Sequence, residues 1–340
     1  MALAFSEDNK VVFLSGRKDG LNNFAINKNL TVHEWPGKRP TGIKDFLFLA
    51  KLMKKQRPDI IVTNFGANNM MLLVSWLFGI KYRCCYYQTI VAAYIADHGK
   101  LGWKQRLRII RKGLVFRTAT HMLAPSTYGK KDLLHYFGLK ENKVHVFPNA
   151  LPACSSINQS NNNLIGFAGR LDKTKGVDVL IKAFIKIVPL FPDAALIIAG
   201  GGSEKETLQE MLQQAGLENK VNWKGVLKAD EILELMLNIN FLVVPSRIDN
   251  QPTTVLEAFS VSTPVVGSNS GGIPDMIIPG YNGWLFEREN ENDLAEKMIA
   301  MLSNREQRNV MSANARKIFE EKYCTDTLRK RFETLIENTQ

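Results

Sequence analysis

Two carboxylates, Asp249 and Glu257, stand eight positions apart just beyond a predicted strand. The strand is the short apolar run Phe241–Pro245, whose branched residues and closing proline are typical of a buried strand. A helix is predicted next. Its N-terminus attracts anions, because unpaired N–H groups and the helix dipole point at whatever lies beyond the strand. The carboxylates would repel a phosphate but accept hydrogen bonds from hydroxyls, so the stretch predicts a site for sugar and ribose groups beside a phosphate.

The start of this helix has residues suited to their positions. Pro252 fits the first turn, where its missing N–H costs no hydrogen bond. Thr253 and Thr254 are expected to cap free N–H groups with their hydroxyls. The backbone N–H groups between Gln251 and Val255 are expected to hold phosphate or sugar oxygens.

This stretch resembles a known signature. Asp249 is followed, after seven intervening residues, by Glu257 and Ala258. A Pro-Val-Val run begins six positions after Ala258, and a Gly-Gly-x-x-Asp pattern follows it and ends at Asp275. The pattern is similar to the donor-binding signature of the retaining glycosyltransferases of family 4, which have the GT-B fold. That family usually has Glu at the first position. Asp249 keeps the charge and shortens the reach by one methylene.

The resemblance implies a role for each matching residue. Arg170 and Lys175 would neutralise the leaving nucleoside diphosphate, Arg170 with a planar fork and Lys175 as a point charge. Asp249 would meet hydroxyls of the donor sugar and Glu257 the ribose. The implied catalytic residues are Asp249, Arg170, Lys175 and Gln88. The implied donor-binding residues are Gly169, Arg170, Lys175, Gly200, Gly201, Asn250, Gln251, Pro252, Thr253, Thr254, Val255 and Glu257.

The stretch YYQT, residues 86–89, ends the predicted strand YRCCYYQT, and Gln88 occupies the place where the resembling family commonly has a histidine near the sugar. A glutamine hydrogen-bonds a hydroxyl or carbonyl but cannot take up positive charge. His98, ten residues later, is either a substitute or a histidine of a surface loop.

The elements that must position these residues alternate between strand and helix in both halves of the chain. Such alternation predicts an α/β protein with doubly wound parallel sheets. The resemblance implies GT-B, two Rossmann-like domains facing a cleft. The predicted boundaries are an acceptor-side domain over 1–154, a polar linker over 155–163, a nucleotide-sugar donor domain over 164–324, and a helix over 325–340 that returns to the first domain.

Charge is unevenly distributed. The chain carries a formal net charge of +11, and residues 1–150 hold 24 Lys and Arg against 9 Asp and Glu. An excess of this kind on one domain favours an anionic partner, either lipid headgroups or nucleic acid. The segment Trp103–Arg117 predicts a basic amphipathic helix, which is either a membrane-surface element or a solvated face over a packed stripe. No recognised nucleic-acid motif is present, so nucleic acid is not expected as a partner.

Other features define the expected setting. The four cysteines show neither metal spacing nor a disulfide framework, and no signal peptide or membrane-spanning run is evident, so a cytoplasmic protein is expected, peripheral to the inner face of the membrane. The chain has no Asp-x-Asp pair and no clustered His or Cys, so we expect no metal or other cofactor. The nucleotide sugar would be a substrate.

The predicted function is a retaining glycosyltransferase that moves a sugar from a nucleotide donor to a hydroxyl, with a glycan or lipid-linked glycan of bacterial surface polysaccharide or glycolipid assembly as acceptor. The resembling family opens with a strand and a glycine-rich loop, and ALAFSED resembles the tail of the helix that follows them. We therefore expect this sequence to lack that element. The alternatives are an inactive nucleotide-sugar-binding remnant, a nucleic-acid-binding protein and a sugar-nucleotide epimerase. The epimerase is the least favoured of these, because the acid–base residues that it would need are not evident.

Overall fold

The computed structural model describes residues 5–15, 28–36, 42–160 and 162–338. Contacts within the chain divide it into two compact units, Met1–Pro148 with Thr325–Gln340, and Asn149–Cys324. Both units are built from parallel sheets with connecting helices, so the predicted α/β class is confirmed.

The described residues of the first unit form two parallel sheets. Its strands are β1 (Val11–Ser15), β2 (Leu30–Glu34), β3 (Ile60–Thr63), β4 (Tyr82–Tyr86), β5 (His121–Ala124) and β6 (Val144–Val146). Among the described residues, β1 pairs with β2, and the other four form a sheet in chain order. Its connecting helices are α1 (Ile43–Gln56), α2 (Asn68–Leu77), α3 (Val91–His98), α4 (Trp103–Phe116) and α5 (Thr127–Phe137).

Strand order places these helices. Because β3 to β6 follow the chain, right-handed crossovers put α2, α4 and α5 on one face of the four-stranded sheet. Helix α4 packs between α2 and α5, and α2 also contacts α1. These helices therefore form one outer layer.

The second unit is a six-stranded parallel sheet. Its strands are β7 (Leu164–Ala168), β8 (Ala195–Ala199), β9 (Val221–Gly225), β10 (Phe241–Val244), β11 (Val265–Ser268) and β12 (Gly283–Phe286). Its helices are α6 (Val177–Ile187), α7 (Lys205–Gln214), α8 (Ala229–Asn238), α9 (Thr253–Ser260), α10 (Glu291–Ser303) and α11 (Arg305–Lys322). The spatial order of the strands is β12, β11, β10, β7, β8, β9.

Alternation along the central strands builds a core on each side of this sheet. Phe241 and Val243 of β10 face α6, α7 and α10, whereas Leu242 and Val244 face α8, α9 and α11. A strand that is buried on both faces has a continuous apolar sequence, as β10 does.

The segment predicted as a linker, 155–163, belongs to the second unit. The side-chain amide of Asn158 donates to the carbonyls of Met236 and Ile239 at 2.8 and 2.7 Å. Its described residues thus anchor to the second unit, and the division between units falls earlier, after Pro148.

The last helix, α12 (Thr325–Glu337), groups with the first unit. Phe332 packs edge-on against Phe5 and Phe147, with ring centroids 5.3 and 6.0 Å apart. Arg329 adds ion pairs to Glu7 and Asp8.

Candidate active site

Strand order creates a crevice in the second unit. From β7 the chain winds outward through β8 and β9, and then returns to the other side of β7 as β10. Loops at the carboxyl ends of β7 and β10 therefore lie side by side where the winding reverses, and open parallel sheets bind ligands at such a point.

Two predicted residues meet there. Lys175 ends a 3-10 turn, Lys173–Lys175, which follows β7, while Asp249 follows β10. The Lys175 Nζ lies 2.5 Å from the Asp249 Oδ2, with both side chains largely shielded from solvent. The turn is held by Asp172, whose Oδ1 accepts the Lys175 N–H at 3.2 Å. A cation and an acceptor for hydroxyls thus stand together at the end of the sheet.

Arg170 lies outside this pair. Its guanidinium contacts Asp172 at 2.8 Å, and its side chain is 74% exposed. Arg170 and Lys175 therefore share Asp172 as an organising neighbour, but Arg170 projects outward from the loop and is available to an incoming anion.

Glu257 occupies the second turn of α9. Its side chain is partly buried, and burial raises its pKa. Among the described residues, none donates a hydrogen bond to this carboxylate. A desolvated carboxylate without a partner is costly, so hydroxyl donors from a ligand would be favourable here.

The N-terminus of α9 differs from the sequence prediction. Pro252 is the N-cap residue, and no side chain caps the helix, so the prediction that Thr253 and Thr254 do so is wrong. Thr253 is exposed and Thr254 partly exposed. The proline fixes the entry geometry without a capping hydroxyl. The Val255 N–H donates to the Pro252 carbonyl at 3.2 Å, so the N–H groups of Thr253 and Thr254 are the ones left for a ligand.

Other residues predicted at this helix start are used internally. Gln251 is buried, and its Oε1 accepts the backbone N–H of Asn149 at 2.7 Å. Asn250 is buried, and Val255 packs in the core beneath the sheet. These three side chains are therefore buried within the unit and are not presented to solvent.

The predicted glycines bring two strand ends into backbone contact. Gly169 donates to the carbonyl of Ala199 at 2.9 Å. Gly200 has φ of +147°, and a Cβ there would lie 1.8 Å from the Gly169 carbonyl oxygen. A Cβ on Gly201 would meet the Val226 side chain at 3.3 Å. Gly200 is thus required for packing between the β7 and β8 loops.

Arg247 was missed by sequence reasoning. Its guanidinium holds both Asp178 oxygens, at 2.9 and 2.8 Å, and its Nε contacts Glu289 at 2.7 Å. These hydrogen bonds raise the pKa of Arg247. Burial acts to raise the pKa of Asp178, but the hydrogen bonds and charge of Arg247 outweigh it, so that pKa is lowered. The network fixes the loop that carries Asp249.

Gly271 packs closely against the backbone of Asp249. It has φ of +60°, and a Cβ there would lie 2.0 Å from the Asp249 carbonyl oxygen, which also accepts the Gly272 N–H at 2.8 Å. The Gly-Gly-x-x-Asp pattern signalled this position, although no role had been assigned to it.

Gln88 belongs to the first unit, at the carboxyl end of β4, and is partly exposed. The buried Asp132 carboxylate accepts the Val91 and Ala92 N–H groups at 2.9 and 3.0 Å and the Tyr87 hydroxyl. These bonds fix the segment around Gln88. The side chain of His98 lies outside the described residues.

Across the described ranges, no group of three or more His, Cys, Asp or Glu residues is arranged to hold a metal ion. In the same ranges, no helix has the length and apolar character needed to cross a bilayer.

Two family models match the chain, one in each half. Residues 5–153 match Glycosyltransferase Family 4, and residues 155–318 match Glycosyl transferases group 1.

Curated relatives share part of this sequence. An uncharacterized glycosyltransferase of Methanocaldococcus jannaschii is 30% identical over 198 residues, which cover 57% of this chain and 55% of that protein. The N-acetyl-alpha-D-glucosaminyl L-malate synthase of Bacillus anthracis is 29% identical over 163 residues, 48% of this chain and 42% of that protein. The chain spans about half the length of these relatives.

Solved structures share the fold. Anabaena HepE in complex with UDP and glucose has a TM-score of 0.76 at 16% identity, covering 97% of this chain and 99% of that one. The sucrose-phosphate synthase of Thermosynechococcus elongatus has a TM-score of 0.78 at 16% identity, covering 99% and 90%. The GT-B fold class predicted from the sequence is confirmed. With both halves matched by their family models, this chain belongs to the family 4 and group 1 glycosyltransferases.

Proposed function

We propose that this protein transfers a sugar from a nucleotide-sugar donor to a hydroxyl acceptor with retention of anomeric configuration. The proposal depends most on one observation, the unpartnered and partly buried Glu257 carboxylate on a helix that leaves the N–H groups of Thr253 and Thr254 without a side-chain cap. The Lys175–Asp249 pair lies at the adjoining strand ends. A nucleotide sugar offers a matching set of groups, ribose hydroxyls, a diphosphate and sugar hydroxyls.

Each residue then has a distinct task. Glu257 accepts hydrogen bonds from the ribose, and Asp249 from the sugar. Lys175, Arg170 and the N–H groups of Thr253 and Thr254 hold the diphosphate. Lys175 can donate to a phosphate oxygen while it stays paired with Asp249, since its ammonium group has three N–H donors.

The reaction needs charge stabilisation more than covalent assistance. The bond between the anomeric carbon and the diphosphate oxygen breaks, and negative charge builds on the diphosphate, where Lys175, Arg170 and the helix N-terminus stabilise it. The acceptor hydroxyl attacks the anomeric carbon on the face that the diphosphate leaves. Its proton passes to the departing diphosphate, which balances the step without a protein base. No metal is required in this scheme.

The acceptor is proposed to be a glycan or lipid-linked glycan of bacterial surface polysaccharide assembly, used at the inner face of the membrane. The excess of cations in residues 1–150 supports an anionic setting for the first unit. Gln88, held by the Asp132 network, is proposed to hydrogen-bond the sugar or acceptor.

A titration with UDP-, GDP- and ADP-sugars tests the donor site. We expect one of them to bind, and Glu257→Ala to weaken that binding about 10- to 100-fold, the usual effect of losing hydrogen bonds to a charged group. Glu296→Ala, a change of the same residue type on the exposed surface of α10, is the matched control. Unchanged affinity in Glu257→Ala would refute the assignment, and the absence of binding by all three would favour a protein that has lost donor recognition.

A further inference from the structure

Helix α4 turns an apolar stripe toward solvent. Trp103, Leu107, Ile110 and Leu114 follow the spacing of one helix face, and their exposed fractions are 72, 60, 62 and 57%. The helix packs inward through other residues, among them the buried Gly113 and Phe116. The predicted alternative, in which a solvated charged face covers a packed apolar stripe, does not describe this stripe.

Cations border the stripe along both of its edges. On a helical projection with 100° per residue, Arg106 and Arg117 fall on one side, and Lys104, Arg108 and Arg111 on the other. All five side chains are exposed, and within the described ranges none has an acidic partner. The helix sequence itself contains no Asp or Glu.

Helix α2 extends the apolar surface. It packs beside α4 on the same face of the sheet, and its Leu73 and Trp76 are 38 and 53% exposed. We call Leu73, Trp76, Trp103, Leu107, Ile110 and Leu114 the apolar face. An exposed apolar area of this kind on a single chain indicates an interaction surface.

The apolar face and its flanking cations together indicate which kind of partner binds there. A protein partner would bury this surface against a defined apolar patch and would need acidic groups placed opposite each flanking cation. An anionic bilayer meets both needs at once, because acyl chains accept the apolar side chains while phosphate headgroups surround the cations. Trp103 at the helix start suits the interfacial depth at which tryptophan is enriched.

We propose that the apolar face docks the first unit on the surface of a bilayer that contains anionic phospholipids, with α4 lying in the plane of the interface. The flanking arginines and lysines contact phosphates, and the four α4 side chains enter the acyl boundary. This inference deepens the proposed function by naming the surface that brings the acceptor-side unit to a lipid-linked acceptor.

Flotation with vesicles tests the proposal. The full chain is mixed with vesicles of phosphatidylcholine alone, or with about one third phosphatidylglycerol, at low salt. We expect binding to the anionic vesicles at least about tenfold stronger, since each cation near the surface contributes about fivefold. Equal binding to both vesicle types, or binding to neither, would overturn the proposal.

Variants locate the contact. Leu107→Ser with Ile110→Ser should reduce binding at least about tenfold, because two apolar side chains no longer leave water. Arg106→Gln with Arg111→Gln should reduce it about 25-fold. Val226→Ser with Leu190→Ser removes exposed apolar side chains from the second unit and should leave binding unchanged. Equal losses in the control and the α4 variants would place the contact elsewhere.

A spectral readout separates insertion from loose adsorption. Tryptophan emission should shift to the blue on anionic vesicles, and Trp103→Phe should keep the binding while losing much of the shift. A shift that persists in full in both Trp103→Phe and Trp76→Phe would contradict insertion of this face. Concentration-dependent dimerisation without vesicle binding would instead assign the face to a second copy of the chain and refute the lipid proposal. No nucleotide sugar enters these experiments, so they can fail while donor binding holds.

Discussion

The crevice of the second unit and the α4 surface of the first both carry charged side chains, but in one they are paired and in the other they are not. In the crevice Lys175 is paired with Asp249, and Arg247 with Asp178 and Glu289. On α4 the exposed cations have no acidic partner within the described part of the chain. The partly buried pairs are screened little by salt and already neutralise much of each other's charge, whereas the exposed unpaired cations attract anions at a distance and are screened strongly.

The largest expected effect comes from breaking a pair in the crevice. Lys175→Met removes the cation and leaves Asp249 without its partner, so turnover of the donor found by titration should fall about 10²- to 10³-fold. Arg111→Met on α4 is the matched change on the other surface and should leave donor turnover in solution unchanged. Equal losses in the two variants would erase the distinction between the regions.

A smaller effect is expected from the backbone support of the crevice. Gly271→Ala places a Cβ against the Asp249 carbonyl and should weaken donor binding while lowering the free energy of unfolding by about 2–4 kcal/mol. Gly216→Ala is the control, because Gly216 has φ of +66° but open space around it. It should cost about 1 kcal/mol from backbone strain alone and leave donor binding intact. Urea unfolding and titration calorimetry measure the two quantities.

The first unit also contains buried ionisable groups, and their effect should appear as a pH dependence. Burial, with His145 and Lys143 nearby, lowers the pKa of His121 to about 4. The unfolded chain takes up a proton near pH 6.5 whereas the folded chain does not, so stability is greatest above pH 6.5, falls as pH decreases, and levels off near pH 4.

Unfolding followed between pH 7.5 and 4.5 tests this dependence, with an expected loss of at most about 3 kcal/mol. His121→Leu should flatten the decline, whereas His135→Gln, at an exposed histidine, should leave it unchanged. The same slope in His121→Leu and the unmodified protein would show that other groups dominate.

The smallest expected effect is a difference in salt dependence between vesicle binding at α4 and donor binding in the crevice. Raising salt from about 0.05 to 0.2 M shortens the screening length. Vesicle binding through α4 should weaken severalfold, while donor binding in the shielded crevice should change less than about twofold. Parallel flotation and calorimetry would reveal whether the contrast holds, and a donor affinity as salt-sensitive as vesicle binding would contradict it.

Local patterns predicted much of the secondary structure. The strand predicted at Phe241–Pro245 and the helix predicted at Trp103–Arg117 are each observed to within one residue of their predicted ends, because apolar periodicity and flanking residues are strong local signals. The polar run 155–163 had the composition of a linker. Its anchoring by Asn158 depends on carbonyls of Met236 and Ile239, which are distant in sequence and become neighbours only through folding.

The residues of the candidate site were likewise predicted in part, while their contacts were not. Lys175 and Asp249 were named through a resemblance, but their 2.5 Å contact follows from β7 lying next to β10, which spacing alone does not specify. Arg247 carried no signal beyond its place before Asp249, because its partners lie in α6 and in the loop after β12. The expected threonine caps were absent because Pro252 sets the helix entry.

The contact between Lys175 and Asp249 has a consequence for selectivity among small anions. The Lys175 ammonium group has three N–H donors, so it can stay paired with Asp249 while it donates to a phosphate oxygen, and the carboxylate keeps lone pairs for hydroxyls. Free inorganic phosphate would meet those donors beside a carboxylate that repels it, whereas a free sugar would meet the carboxylate alone. Under the proposed function, a molecule that joins a phosphate to hydroxyls gains from both groups at once, so the pair favours that molecule over either of its parts.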